Sequence, residues 1–178
     1  MKIVVINGQP RAGKDEFVKF CQKHTTLCYN LSTVDFVKEV AAFAGWDGQK
    51  TPKNREFLSD LKDLLTQWND VPFKSIQQKI EKIKGEMRIY DFNPEKDGIV
   101  FIHCREPKEI QRFVYEMGAL TLLIRRNSIE TDNQSNHADA DVFNYNYDFA
   151  IENNGTLEEL EEKAISFLKH IGITDLKN

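Results

Sequence analysis

The sequence predicts an α/β fold with a five-stranded parallel sheet and helices on both faces, and three features of the 178-residue chain carry that prediction. Short apolar runs alternate with amphipathic segments, the pattern of βαβ units. The stretch GQPRAGKD, residues 8–15, separates the first apolar run from a segment that can continue as a helix. A long stretch between the second and third runs has no strand character but a clear helical periodicity.

The five predicted strands are Ile3 to Ile6, about Leu27 to Leu31, Ile99 to Cys104, Leu120 to Ile124 and Phe149 to Ile151. A first helix covers Asp15 to Lys23. Val34 to Ala44 reads as helical, with Gly45 as its terminator. Pro52 opens a helix in which Phe57, Leu58, Leu61, Leu64, Leu65 and Trp68 recur at spacings of three and four and form one apolar face. Pro72 starts another, with Phe73, Ile76, Ile80 and Ile83 on one side. Thr156 followed by Glu159 resembles a capping box that opens a last helix running to about His170. The expected organisation is a single domain over 1–178. Its core is 1–34 and 91–178, with a helical insertion over about 35–90 and a polar, lid-like segment over about 126–146.

Composition narrows the partners. A net charge of -4 and a pI near 5.6 give no global reason to expect nucleic-acid binding, so an anion site must be local. No apolar run approaches the roughly 20 residues needed to span a bilayer, so no membrane partner is expected. Cys21, Cys28 and Cys104 match no zinc spacing and read as reduced thiols of a cytoplasmic protein. The chain is expected as a monomer or homodimer.

The stretch after the first strand fits the phosphate-loop pattern G-x-x-x-x-G-K-S/T up to its last letter, where Asp15 stands in place of a hydroxyl residue. Gly8 and Gly13 allow the backbone to turn its N–H groups around an anion. Lys14 adds a point charge, and the following helix adds its positive end. Arg11 faces solvent or substrate rather than the core, since a guanidinium is rarely buried unpaired. Within their apolar strand, His103 and Cys104 read as core rather than ligands. Tyr145 and Tyr147 alternate in a manner suited to strand packing.

GQPRAGKD followed by Glu16 and Phe17 resembles the G-x-x-x-S-G-K-D loop of phage-type deoxynucleoside monophosphate kinases, and also that of animal-type phosphomevalonate kinases. Both are P-loop kinases of the nucleoside monophosphate kinase fold, in which aspartate regularly follows the lysine. LSTVDFVKEVAAFAGWDG, from Leu31 to Gly48, is similar to the phage-type segment after the second strand, and Ser32, Asp35 and Lys38 match it. KNREFLSDL resembles the acceptor-side helix, with Arg55 as its arginine. FIHCREPKEI resembles the end of the third strand, with Arg105 matching but His103 standing where that family has an acidic residue. LLIRRNS resembles the strand entering the lid, with Arg125 and Arg126 as lid arginines. NHADAD resembles the lid exit, and YDFAIENNGTLEEL the last strand-helix unit.

The resemblance implies a three-layer P-loop kinase fold with a helical acceptor-binding insertion and a lid. It also implies ATP-dependent phosphoryl transfer, with Mg²⁺, to a nucleoside or deoxynucleoside monophosphate, so the implied partners are small-molecule nucleotides. Alternatives are a kinase of another small phosphorylated acceptor, such as phosphomevalonate or dephospho-CoA, and a nucleotide-binding sensor without turnover. Gly8, Arg11, Ala12, Gly13, Lys14, Asp15 and Glu16 would hold the ATP phosphates. Lys14, Arg125, Arg126 and Asp35 would act in catalysis, and Ser32, Asp35, Lys38, Arg55 and Arg105 on the acceptor. Asp15 is the implied metal residue, and with His103 in place of the acidic residue the metal's acidic partners would be Asp15, Asp35 or both. Each has a plainer reading: Asp15 and Asp35 as first-turn helix carboxylates facing the dipole, Arg55 as a solvated helix residue, Arg125 and Arg126 as strand flanks.

Overall fold

The apolar run after Met1 forms the strand on which the rest is built. In this computed structural model, residues 1–49, 51–94, 96–127 and 142–173 are described. The elements run β1 (Lys2–Asn7), α1 (Lys14–His24), β2 (Cys28–Ser32), α2 (Asp35–Phe43), α3 (Pro52–Asn69), α4 (Val71–Ile89), β3 (Ile99–His103), α5 (Pro107–Met117), β4 (Leu120–Arg125), β5 (Phe149–Glu152) and α6 (Leu157–His170). The strands form one sheet in the order β2-β3-β1-β4-β5. β1 is paired in parallel with β3, Ile6 opposite His103, and with β4, Asn7 opposite Leu123; β4 pairs in parallel with β5. The five predicted strands are therefore present, each within about a residue of its expected bounds.

The chain divides into two compact units, Met1–Asn30 with Asp91–Asn178, and Leu31–Tyr90. In the first unit, β1, β3 and β4 are buried on both faces, as central parallel strands must be. Val4, Ile6, Phe101, Leu122 and Ile124 pack with Phe17, Val18 and Cys21 of α1 and with Leu160, Ala164, Phe167 and Leu168 of α6. Phe17 meets Phe101 and Phe167 edge-on, at 6.3 and 5.7 Å between ring centroids, a geometry aromatic rings favour. α5 lies against β1 and β4. The capping box at α6 is formed: Thr156 accepts from the Glu159 N–H, and the Glu159 carboxylate accepts from the Thr156 N–H, each at 3.3 Å. α5 is absent from the helices expected above, although Pro107 at its start, the buried Ile110 and Phe113 on one face and Gly118 in a left-handed C-cap mark it.

In the second unit α2, α3 and α4 pack on one another. Thr51 caps α3, its hydroxyl accepting from the Asn54 N–H at 3.2 Å, and Pro52 takes the first helical position. Phe73, Ile76, Ile80 and Ile83 of α4 are buried together with Met87. The apolar face expected on α3 is present but only partly buried. Lys62 is its buried residue, Leu58, Leu61 and Leu65 are half-buried, and Phe57, Leu64 and Trp68 are exposed. The six positions do share one face, but α2 and α4 cover only its Leu58, Leu61 and Leu65 side, and beyond that side Lys62 is buried along its aliphatic stem.

Most of the expected lid, residues 128–141, lies outside the described residues. No helix among those described is long and apolar enough to cross a membrane.

Candidate active site

In an open parallel sheet ligands collect at the carboxyl ends of the strands, where the strand order reverses. Here β1 is the strand flanked by β3 on one side and β4 on the other, and residues 8–13 leave its carboxyl end. Two glycines make the loop possible. Gly8 is buried so close to β4 that a Cβ would run into the carbonyl oxygen of Ile124, and Gly13, at φ +98°, would drive one into the Asn153 amide. Arg11 also takes a left-handed conformation, φ 64°, and its side chain is exposed, as expected for a guanidinium on such a loop.

Gly13 is the N-cap of α1, and no side chain caps that helix. Its positive end, with the amides of a first turn that have no intrahelical acceptor, therefore faces the loop. Lys14 folds back over the loop, its ammonium donating to the carbonyls of Gly8 at 2.6 Å and Gln9 at 2.8 Å. The Ala12 N–H closes a turn onto the Gln9 carbonyl at 3.2 Å, and Ala12 is fully buried. Glu16 is engaged by Lys19 at 3.0 Å.

Asp15 follows Lys14 with its side chain 85% exposed, and its Oδ1 is 3.8 Å from Nε2 of His103. His103 thus stands at the carboxyl end of β3 facing the loop, whereas Cys104 is core-like: buried, its thiol donating to Glu109 at 3.0 Å. The difference follows from the period of a strand, which turns neighbouring side chains to opposite faces. Arg105 comes next, exposed.

Arg125, the last residue of β4, and Arg126, the residue after it, line a cavity of about 390 Å³ with Gln9, Asn127 and Phe143. The Arg125 guanidinium lies 5.6 Å from the Phe143 ring centroid, within cation–π range, and 3.9 Å from the Glu152 carboxylate. The phosphate loop and both expected lid arginines therefore share one concave surface.

Ser32, Asp35, Lys38 and Arg55 belong to the second unit. The Asp35 carboxylate accepts from the Ser32 N–H at 2.8 Å, a local closure that places it in the first turn of α2. Lys38 lies one turn further on. Arg55 is in the first turn of α3, and the exposed Trp68 is near its other end.

Two residues given no role in the sequence, Asn7 and Asn153, now hold the loop, together with Tyr147. Asn7, fully buried, accepts from the Gly8 N–H at 2.8 Å and donates to Tyr147 at 2.7 Å. Asn153 donates to the Ala12 carbonyl at 2.9 Å, while its own N–H meets the Arg125 carbonyl at 2.7 Å. Tyr147 was expected to pack in a strand. It lies instead in the irregular segment before β5, and burial pushes its phenol up to about 12 against the weaker opposing effect of the Asn7 bond. Polar residues at the ends of apolar strands, Asn7 in KIVVIN and Asn153 after FAIE, were the available signal.

A parallel sheet in this order, with a strand, a glycine loop and a helix at its central strand, is the three-layer fold of the P-loop kinases. One solved structure agrees at the level of the fold. The chain is similar to an unliganded sugar kinase from Janibacter sp., with a TM-score of 0.51 and 13% identity over 100% of this chain and 99% of that one. Weaker likenesses are a dephospho-CoA kinase from Campylobacter jejuni, with a TM-score of 0.47 and 13% identity over 96% and 97%, and an APS kinase from Mycobacterium tuberculosis, with a TM-score of 0.43 and 11% identity over 94% and 96%. No protein-family model and no curated protein matches the sequence.

Proposed function

We propose that the protein transfers the γ-phosphoryl group of ATP, with Mg²⁺, to a nucleoside or deoxynucleoside monophosphate, giving the diphosphate. The observation that carries this reading is the shared surface of the loop and the two β4 arginines: Gln9 lines the same cavity as Arg125 and Arg126, and Lys14 is bonded to the Gln9 carbonyl. Phosphoryl transfer asks a protein mainly to position phosphates and to spread positive charge around the moving group. Lys14 and the positive end of α1 supply charge to the triphosphate, and Arg125 and Arg126 supply it where charge develops. Arg105 in the first unit, and Ser32, Asp35, Lys38 and Arg55 in the second, are proposed to serve the acceptor. A planar guanidinium suits the acceptor phosphate because it can bond two oxygens at once.

The residues present fit a magnesium ion carried in on the triphosphate. Among the described residues no group of three or more His, Cys, Asp or Glu side chains forms a metal cage, and Mg²⁺ typically keeps its waters and takes one or two carboxylates. The exposed Asp15 would hold it through water or directly. When bound, the ion neutralises charge on the phosphates. His103 in place of an acidic residue favours one second reading, a sensor that binds ATP without turnover.

An assay of ADP release across deoxynucleoside and nucleoside monophosphates, phosphomevalonate and dephospho-CoA tests the reading. Turnover of a nucleoside or deoxynucleoside monophosphate above the others is expected. Preference for either of the last two would move the acceptor, and ATP binding without turnover of any would establish the sensor.

A further inference from the structure

The fully buried Asn7 is an expensive residue at the end of an apolar strand, since a buried amide must find partners for both its ends. It finds them on three segments. Oδ1 accepts from the Gly8 N–H at 2.8 Å, at the start of the phosphate loop. Nδ2 donates to Oη of Tyr147 at 2.7 Å and to the Arg105 carbonyl at 3.3 Å. The amide orientation is fixed by these partners, because a flipped amide would set its oxygen against the carbonyl and its nitrogen against the N–H. Tyr147 completes the network by donating to the Val142 carbonyl at 2.8 Å. A phenol with its pKa raised to about 12 stays protonated across the working pH range, so this donation persists.

The consequence lies at Arg105. Its side chain is exposed, but its backbone carbonyl is tied through one side chain to the first residue of the phosphate loop. We propose that Asn7, steadied by Tyr147, is a positioning residue that fixes Arg105 relative to the phosphate loop and so sets the affinity for the acceptor phosphate. This rests on the kinase reading above. Neither residue need touch a ligand, because reacting groups must be placed to within about an ångström, and a misplacement of that size can cost about 10²-fold.

The test uses Asn7→Ala, Tyr147→Phe and the double variant of the full chain, with MgATP as donor and the fastest monophosphate of the panel as acceptor. Asn7→Ala should raise the acceptor KM by about tenfold or more and, because it also removes the bond to the Gly8 N–H, weaken ATP binding, read by calorimetry, by a clearly smaller factor. Tyr147→Phe, the milder change, should move the same constant less, and should add nothing in the Asn7→Ala background, because it acts through Asn7. An unchanged acceptor KM, or additive effects, would overturn the proposal even where melting temperature falls. Wild-type protein that turns over no monophosphate defeats the kinase reading, and amide exchange then decides the inference on its own. Faster amide exchange at Cys104, Arg105 and Glu106 in Asn7→Ala supports the positioning role, and unchanged exchange there overturns it.

Discussion

Oδ1 of Asp15 lies 3.8 Å from Nε2 of His103, so the residue after the loop lysine and the last residue of β3 face each other across the start of α1. If Asp15 holds the metal on the triphosphate, Asp15→Asn keeps the size and removes the charge. The variant should then need more Mg²⁺ for half-maximal activity, and its metal-free ATP affinity should rise as repulsion is relieved. An unchanged Mg²⁺ requirement with a small loss of thermal stability would leave Asp15 a helix-end carboxylate and return the metal to Asp35. His103→Asp sets two carboxylates together, and like charges at that range disfavour each other. Its melting temperature should therefore rise more with added MgATP than that of wild type.

The arginines should separate by the phosphate each serves. Arg55→Ala and Arg105→Ala are expected to raise the acceptor KM and leave ATP binding nearly unaltered. Arg125 and Arg126, on the cavity shared with Gln9, are expected to govern kcat, since groups that act as charge develops can be worth about 10³-fold. Steady-state kinetics with both substrates varied makes the comparison. Equal effects of all four on ATP affinity alone would overturn the division.

The fold was legible because its signals are local. Parallel strands buried on both faces read as continuous apolar runs, and Thr156 with Glu159, or Pro52, marks a helix start without reference to anything distant. α5, which like α4 opens on a proline without a side-chain cap, carries local signals of the same kind, among them Gly118 at its end. The loop glycines were legible as a motif, but the partners that make each of them necessary, Ile124 and Asn153, are more than a hundred residues away. Asn7 and Tyr147 are likewise separated by 140 residues, and no periodicity records such a bond. His103 looked like core because it sits among apolar residues. Its side chain is indeed only 17% exposed, and what the apolar pattern did not record is the approach of its Nε2 to the Asp15 carboxylate.

The thiols offer a test in pH. Burial pushes Cys28 up to about 12 and raises Cys21 further, with the neighbouring Cys28 adding to the effect. At pH 8 roughly one Cys28 in 10⁴ is thiolate, against about a quarter of an ordinary thiol of pKa 8.5. Alkylation of native Cys28 should be slower than in denaturant by roughly 10³-fold, and should quicken about tenfold per pH unit. The sign for stability follows. Between about 8.5 and 12 the unfolded chain gives up protons that the native chain keeps, so this contribution is whole below 8.5 and is lost as pH rises towards 12. Native labelling as fast as denatured labelling would refute the burial.

Lys14→Ala should cost roughly 10²-fold or more in rate, because a charge aimed at the transferring group is lost. The Gly8 and Gln9 carbonyls would also lose their ammonium donor, so some loss of loop order accompanies the rate effect. An active variant with unchanged ATP affinity would contradict the loop assignment.

Gly13 meets two separate constraints, and a pair of variants can tell them apart. Its φ of +98° disfavours any side chain, and a Cβ there would collide with the Asn153 amide that holds the Ala12 carbonyl. Gly13→Ala should destabilise through both, the left-handed conformation alone costing about 1–2 kcal/mol. Asn153→Ala removes the obstructing amide but also the bond to Ala12, about 1 kcal/mol for a buried hydrogen bond, with more if the carbonyl is left without a donor. In the double variant the collision is gone while the φ constraint and the lost bond remain. Its measured loss in urea unfolding should therefore fall short of the sum of the singles, as expected for residues in contact. Strict additivity would mean that backbone conformation alone makes position 13 a glycine, and that Asn153 holds the loop without restricting what may stand there.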